Sequence, residues 1–72
     1  MKKRKKVKLV HDGRYVAEVD VVLLEDDSGW SPYLSVEDAS KLDDVRAALR
    51  HGDLAAASKI ARVYELRPVA SR

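Results

Sequence analysis

Seventy-two residues, 46% hydrophobic and 36% charged, bound a single small globular domain rather than a disordered chain. Cysteine is absent, which excludes disulfide staples, thiolate nucleophiles and cysteine-based zinc sites. The net charge of +2 conceals a division: six of the first eight residues are basic, and positions 9 to 72 hold 8 basic against 12 acidic residues, a balance of −4.

Residues 1–6 read as a flexible basic arm, because clustered like charges repel and offer nothing to bury. The stretch lacks the apolar segment of a secretory signal, since Lys8 interrupts Val7 to Val10 and His11-Asp12 follow. The longest apolar run, Val21 to Leu24, is far short of the about 20 residues that cross a bilayer. No membrane association and a cytoplasmic location are expected.

A single domain is expected over 7–69, with 70–72 as a C-terminal tail. Val7, Leu9, Tyr15, Ala17, Val19, Val21 and Leu23 fall at odd positions, while Lys6, Lys8, Arg14, Glu18 and Asp20 fall at even ones. That is the period of two half-buried strands. A two-residue Asp12-Gly13 turn would set Leu9 opposite Val16 and Val7 opposite Glu18, apolar against polar face. A three-residue loop, His11 to Gly13, with Gly13 left-handed in a bulge, pairs Leu9 with Tyr15 and Val7 with Ala17, and is the register expected. Val22 and Leu24 break the alternation outward, which implies cover on both sides or a partner.

The second strand stops at Glu25-Asp26-Asp27-Ser28-Gly29. A loop carrying Trp30, Pro32 and Tyr33 follows. Ser35 is placed as an N-cap, with Glu37 and Asp38 in the first turn, where the helix dipole favours carboxylates. Val36, Ala39, Leu42, Val45, Ala48 and Leu49 are the apolar positions of a helix ending at Arg50, and their three-residue spacing predicts a kink or second start near Asp43-Asp44. Gly52 stops this helix and Asp53 caps a second, Leu54 to Ala61. Val63 to Leu66 reads as a third strand, limited by Pro68. The fold class is α+β: a small antiparallel sheet, made of a β-hairpin and a C-terminal strand, with two helices on one face, in the order ββααβ.

Chemistry-bearing groups are sparse. His11 with Asp12 and His51 with Asp53 are the histidine–carboxylate neighbours, and both sit at turns whose Gly and Asp have structural reasons to be there. Glu25, Asp26 and Asp27 lack the alternating spacing of a calcium loop. No serine lies in a nucleophile motif, and the three glycines are isolated, so no phosphate-cradling loop forms. Neither catalysis, a metal nor a cofactor is expected. Two surfaces remain. Lys2, Lys3, Arg4, Lys5, Lys6 and Lys8 carry the charge that neutralises phosphates, without aromatic residues among them to stack bases. Trp30, Pro32 and Tyr33, beside the outward Val22 and Leu24, supply the side chains that anchor protein interfaces.

The stretch Gly29-Trp30-Ser31-Pro32-Tyr33-Leu34-Ser35, continuing through Leu42-Asp43-Asp44-Val45-Arg46-Ala47-Ala48-Leu49-Arg50-His51-Gly52-Asp53 to Ala61-Arg62-Val63-Tyr64-Glu65-Leu66, resembles a family of short, uncharacterised bacterial proteins. Such families often look like the smaller partner of a toxin–antitoxin gene pair. The resemblance implies an antitoxin-like, non-enzymatic module that docks on a protein, a toxin, through its acidic domain and Trp30 loop. It departs from an antitoxin that binds DNA in having no helix-turn-helix with a basic recognition helix. The alternative is a nucleic-acid-binding accessory protein acting through the basic arm. A homodimer whose third strand pairs across a two-fold also fits the small core.

Overall fold

The computed structural model describes residues 2–27, 29 and 31–70. Strands β1 (Lys2–Asp12) and β2 (Tyr15–Glu25) pair antiparallel along their whole length, from Lys2 opposite Glu25 to Asp12 opposite Tyr15. Gly13 and Arg14 form the connection. Gly13 has φ 59°, and among the described residues no other residue type has positive φ. Only the first central position is left-handed, as in the type II′ turn whose twist suits a hairpin.

The other edge of β2 carries two short strands at opposite ends. Leu23 and Leu24 pair with β3 (Tyr33–Leu34), and Tyr15 to Glu18 pair with β4 (Arg62–Glu65). Between these in the chain run α1 (Val36–Arg50) and α2 (Leu54–Ile60). The α+β class and the small antiparallel sheet are as expected, with a fourth strand, Tyr33–Leu34, where the sequence suggested only loop.

The hairpin register differs from the expected one. Val7 lies opposite Asp20 and Leu9 opposite Glu18, while Val10 lies opposite Ala17. Val10 is 3% exposed, against 66% for Leu9. The cause is the connection: Gly13-Arg14 replaces His11 to Gly13, and the resulting odd-numbered shift moves every β1 side chain to the other face. Lys2 to Lys6, expected as a free arm, form the outer half of β1. Alternation divides their charge between two faces, Arg4 pairs with Glu25 at 2.9 Å, and the apolar Val21–Leu24 run of β2 gains a laddered neighbour.

Val10, Ala17, Val19 and Val21 from the sheet meet Val45 and Leu49 of α1 and Ala57 of α2 in a wholly aliphatic buried core. Ser35 caps α1, its Oγ accepting from the Asp38 amide at 3.1 Å, and Asp53 caps α2 by accepting from the Ala56 amide at 3.0 Å. Each cap contributes about 1 kcal/mol. Helix α1 runs unbroken through Asp43-Asp44, where a kink was expected. Val36 is 87% exposed, so the buried stripe begins only at the half-buried Leu42 and follows Val45 and Leu49 at helical spacing. Gly52 closes the helix with φ 72°.

The molecule measures 51 × 27 × 14 Å, with a radius of gyration of 14.7 Å. A compact domain of this length has a radius of about 11 Å. Two thin layers and a long hairpin account for the difference.

Candidate binding surfaces

Side chains opposite one another across antiparallel strands share a face. Val10, Ala17, Val19, Val21 and Leu34 face the helices. The other face therefore carries Lys3, Lys5, Val7 and Leu9 of β1, Val16, Glu18, Asp20, Val22 and Leu24 of β2, Tyr33 of β3, and Arg62 and Tyr64 of β4. The start of α1 borders it, Asp38 and Lys41 flanking a cleft that Lys5, Val7, Asp20 and Val22 also line. Val7, Leu9, Tyr33 and Tyr64 are exposed there.

One end of this open face is organised by Arg62. Its Nε donates to Glu18 at 3.0 Å, and its two terminal nitrogens donate to Asp20 at 3.1 and 2.9 Å. The Tyr64 hydroxyl donates to the same Glu18 oxygen at 2.9 Å. The Arg62 guanidinium, and after it the Tyr64 hydroxyl, holds the Glu18 carboxyl below its ordinary range. Arg62 does the same for Asp20. The Asp20 and Glu18 carboxylates push the Arg62 pKa up in return, and Glu18 raises that of the Tyr64 phenol. Sequence reasoning missed this network. Glu18 with Asp20, and Arg62 with Tyr64, have the two-residue spacing of one strand face, but nothing in the sequence set β4 beside β2.

The opposite end is apolar along β2 and β3, with Lys3 and Lys5 of β1 beside it. Tyr33 lies across from Leu24, with Val22 two residues along the same face, so three of the side chains expected at a partner surface come together. Val22 and Leu24 are half-buried and Tyr33 is exposed; Pro32 is exposed in the loop before β3. Trp30, the expected anchor, lies outside the described residues.

The basic residues are rearranged by the register. Lys2, Arg4, Lys6 and Lys8 share the helix side of β1, while Lys3 and Lys5 share the open face. Arg4 is paired to Glu25. Lys2, Lys3, Lys6 and Lys8 have no ion-pair partner among the described residues. Conversely, much of the acidic surplus is engaged: Glu18, Asp20, Glu25, Asp38, Asp43 and Glu65 each contact a cation.

Chemistry-bearing clusters are few. Nε2 of His11 donates to the Gly13 carbonyl at 2.8 Å and Nδ1 of His51 to the Ala47 carbonyl at 2.9 Å, so both histidines serve their own turns. Among the described residues no group of three or more His, Asp or Glu side chains converges as metal ligands. An open cleft of about 570 Å³ between the start of α1 and the hairpin is lined by Lys5, Lys6, Val7, Asp20, Val21, Val22, Asp38 and Lys41. It contains no hydroxyl or imidazole side chain. Among the described residues no helix is long and apolar enough to cross a membrane.

The chain matches no protein-family model, no curated protein and no solved structure at a significant level.

Proposed function

We propose that this chain is a small, non-enzymatic protein-binding module, antitoxin-like in the sense of its sequence resemblance, that docks on a protein partner through the open face of its sheet. The observation that carries the reading is that face itself, bordered by the start of α1 and holding Val7, Leu9, Tyr33 and Tyr64 in water. The surface area supports it. An 8.1 kDa monomer exposes about 4,500 Å² by the usual scaling, and this chain exposes 5685 Å². The surplus of about 1,200 Å² exceeds the about 800 Å² that each side of an ordinary interface buries.

The docking surface so proposed joins an apolar Tyr33–Leu24 pair, flanked by Lys3 and Lys5, to an Arg62 end where one guanidinium is shared by two carboxylates, rather than being broadly acidic. Nucleic acid is the weaker reading of the basic residues. Their cations divide between two faces, and the strand offers no aromatic ring to stack a base.

The test is capture from the native cell lysate by the wild-type protein, by Tyr33→Ser and Leu24→Ser variants, and by Asp44→Ala on the outer side of α1 as a control. A protein retained by wild type and Asp44→Ala but lost from the sheet variants, at unchanged melting temperature, supports the reading. Equal capture by all four sinks it.

A further inference from the structure

Among the described residues β1 is the outermost strand of the sheet, with β2 on one side and no strand on the other. Its outward-facing amides can be identified. The Val22 amide donates to Oδ2 of Asp38, away from β1. Val22 lies opposite Lys5, so this is a pair whose backbone groups point away from each other. The same parity turns the amides and carbonyls of Lys3, Lys5, Val7 and Leu9 to the free edge. These groups form a ladder without a second rail, over a strand about 36 Å long.

The side chains say what fits beside it. Cations at even positions stand on the helix side and those at odd positions on the open side. A second β1 from another copy, paired antiparallel over its whole length, would set Lys6 opposite Lys8 and offer Lys3, Arg4 and Lys5 no carboxylate, with Lys2 alone meeting Asp12, so most of the cations stay uncompensated. A nucleic-acid strand lying against either face would leave the other face's cations unused. A polypeptide strand in the plane of the sheet alternates its own side chains between the two faces, and so meets both sets in turn.

From this geometry we infer that the free edge of β1 receives an extended acidic segment of a partner protein by strand addition, backbone hydrogen bonds forming through Lys3, Lys5, Val7 and Leu9. Carboxylates on the added strand pair with Lys6 and Lys8 on one face and with Lys3 and Lys5 on the other. The inference rests on the protein-binding reading but uses a different surface from the open face.

The probe is a synthetic ten-residue peptide of glutamate pairs separated by threonine pairs, which puts carboxylates on both faces of an extended strand, titrated into the full chain and followed by amide hydrogen exchange. Binding is expected to slow exchange at Lys3, Lys5, Val7 and Leu9 by tenfold or more, while Val10 and Val19 change little. Val7→Pro removes one outward donor without touching the β1–β2 ladder and should weaken the peptide about tenfold. Should that variant not fold, Lys3→Glu/Lys5→Glu, altering exposed side chains only, should weaken binding at least as much. Peptide binding that leaves those four amides unprotected overturns the inference. So does tighter binding of an oligonucleotide of equal charge that both variants leave intact beyond simple charge loss. Tyr33→Ser should bind the peptide normally, so loss of the open-face reading and loss of the edge reading give different results.

Discussion

Asp38, on the first turn of α1, accepts a hydrogen bond from the backbone amide of Val22 at 2.8 Å. The contact closes a gap in the sheet. Between the residues of β2 paired to β4 and those paired to β3, no strand of the described residues lies on that edge, and a helix carboxylate takes the ladder's place. The same residue receives the α1 cap through its own amide and lies 3.9 Å from Lys41. Asp38→Ala should therefore cost about 2 to 3 kcal/mol, combining a lost charged acceptor with a lost helix-dipole contact. Asp38→Asn keeps an acceptor and should cost less than about 1 kcal/mol. Urea unfolding of the three proteins measures both; equal losses would mean that the Val22 bond contributes nothing.

The Arg62 network sets an acid limb to stability. Glu18 and Asp20 are held below their ordinary values of 4.5 and 3.8. Carboxylates depressed in the folded state contribute stability that is fully present above their unfolded pKa and is lost as pH falls through the folded one. Melting temperature should stay level from neutral pH to about 5 and decline below that. Arg62→Met should shallow the decline, and high salt should narrow the difference between the two proteins because the network is exposed. An identical acid profile in the variant would detach Arg62 from both carboxylates.

The alkaline side has its own reporter. Tyr64 donates to Glu18, which raises its phenol above the ordinary 10.0. A raised group contributes stability present below the unfolded pKa and lost as pH climbs through the folded one, so that contribution fades above pH 10. Ultraviolet titration of wild type and Tyr64→Phe should identify the Tyr64 ionisation and place it above the ordinary 10.0. In Glu18→Gln that ionisation should move to lower pH. A Tyr64 ionisation that stays in place in Glu18→Gln would contradict the bond.

Several elements were legible because each carries a local chemical signal. Ser35 and Asp53 each cap the amide three residues on, Gly52 is a left-handed stop, and the odd residues Ala17, Val19 and Val21 of β2 are buried as alternation requires. The hairpin register was not legible from pattern, because β1 holds Val7, Leu9 and Val10, which serve either parity. Length of contact decided it: the Gly13-Arg14 turn gives β2 a neighbour from Tyr15 to Glu25. The same pairing overrode the expectation that clustered lysines remain a free arm. The open face followed from the register and was hidden with it. Only Val22, Leu24 and Tyr33 signalled it, by being apolar where solvent was expected.

That register can be tested by two adjacent residues. Val10 faces the core opposite Ala17, and Leu9 faces water opposite Glu18. Val10→Ala removes two buried carbons at about 0.8 kcal/mol each and leaves a small void, so a loss of about 2 kcal/mol is expected. In a domain whose core supplies only about 3 to 5 kcal/mol, that is enough to bring the melting transition close to ambient temperature. Leu9→Ser strips a larger side chain from a solvated site and should change stability by no more than about 0.5 kcal/mol. Denaturant midpoints of both variants, measured with the wild-type slope as reference, give the comparison directly. Were Leu9→Ser the damaging change and Val10→Ala the silent one, β1 would sit one residue out of this register. Its odd side chains would then lie in the core and the open face would lose Val7 and Leu9.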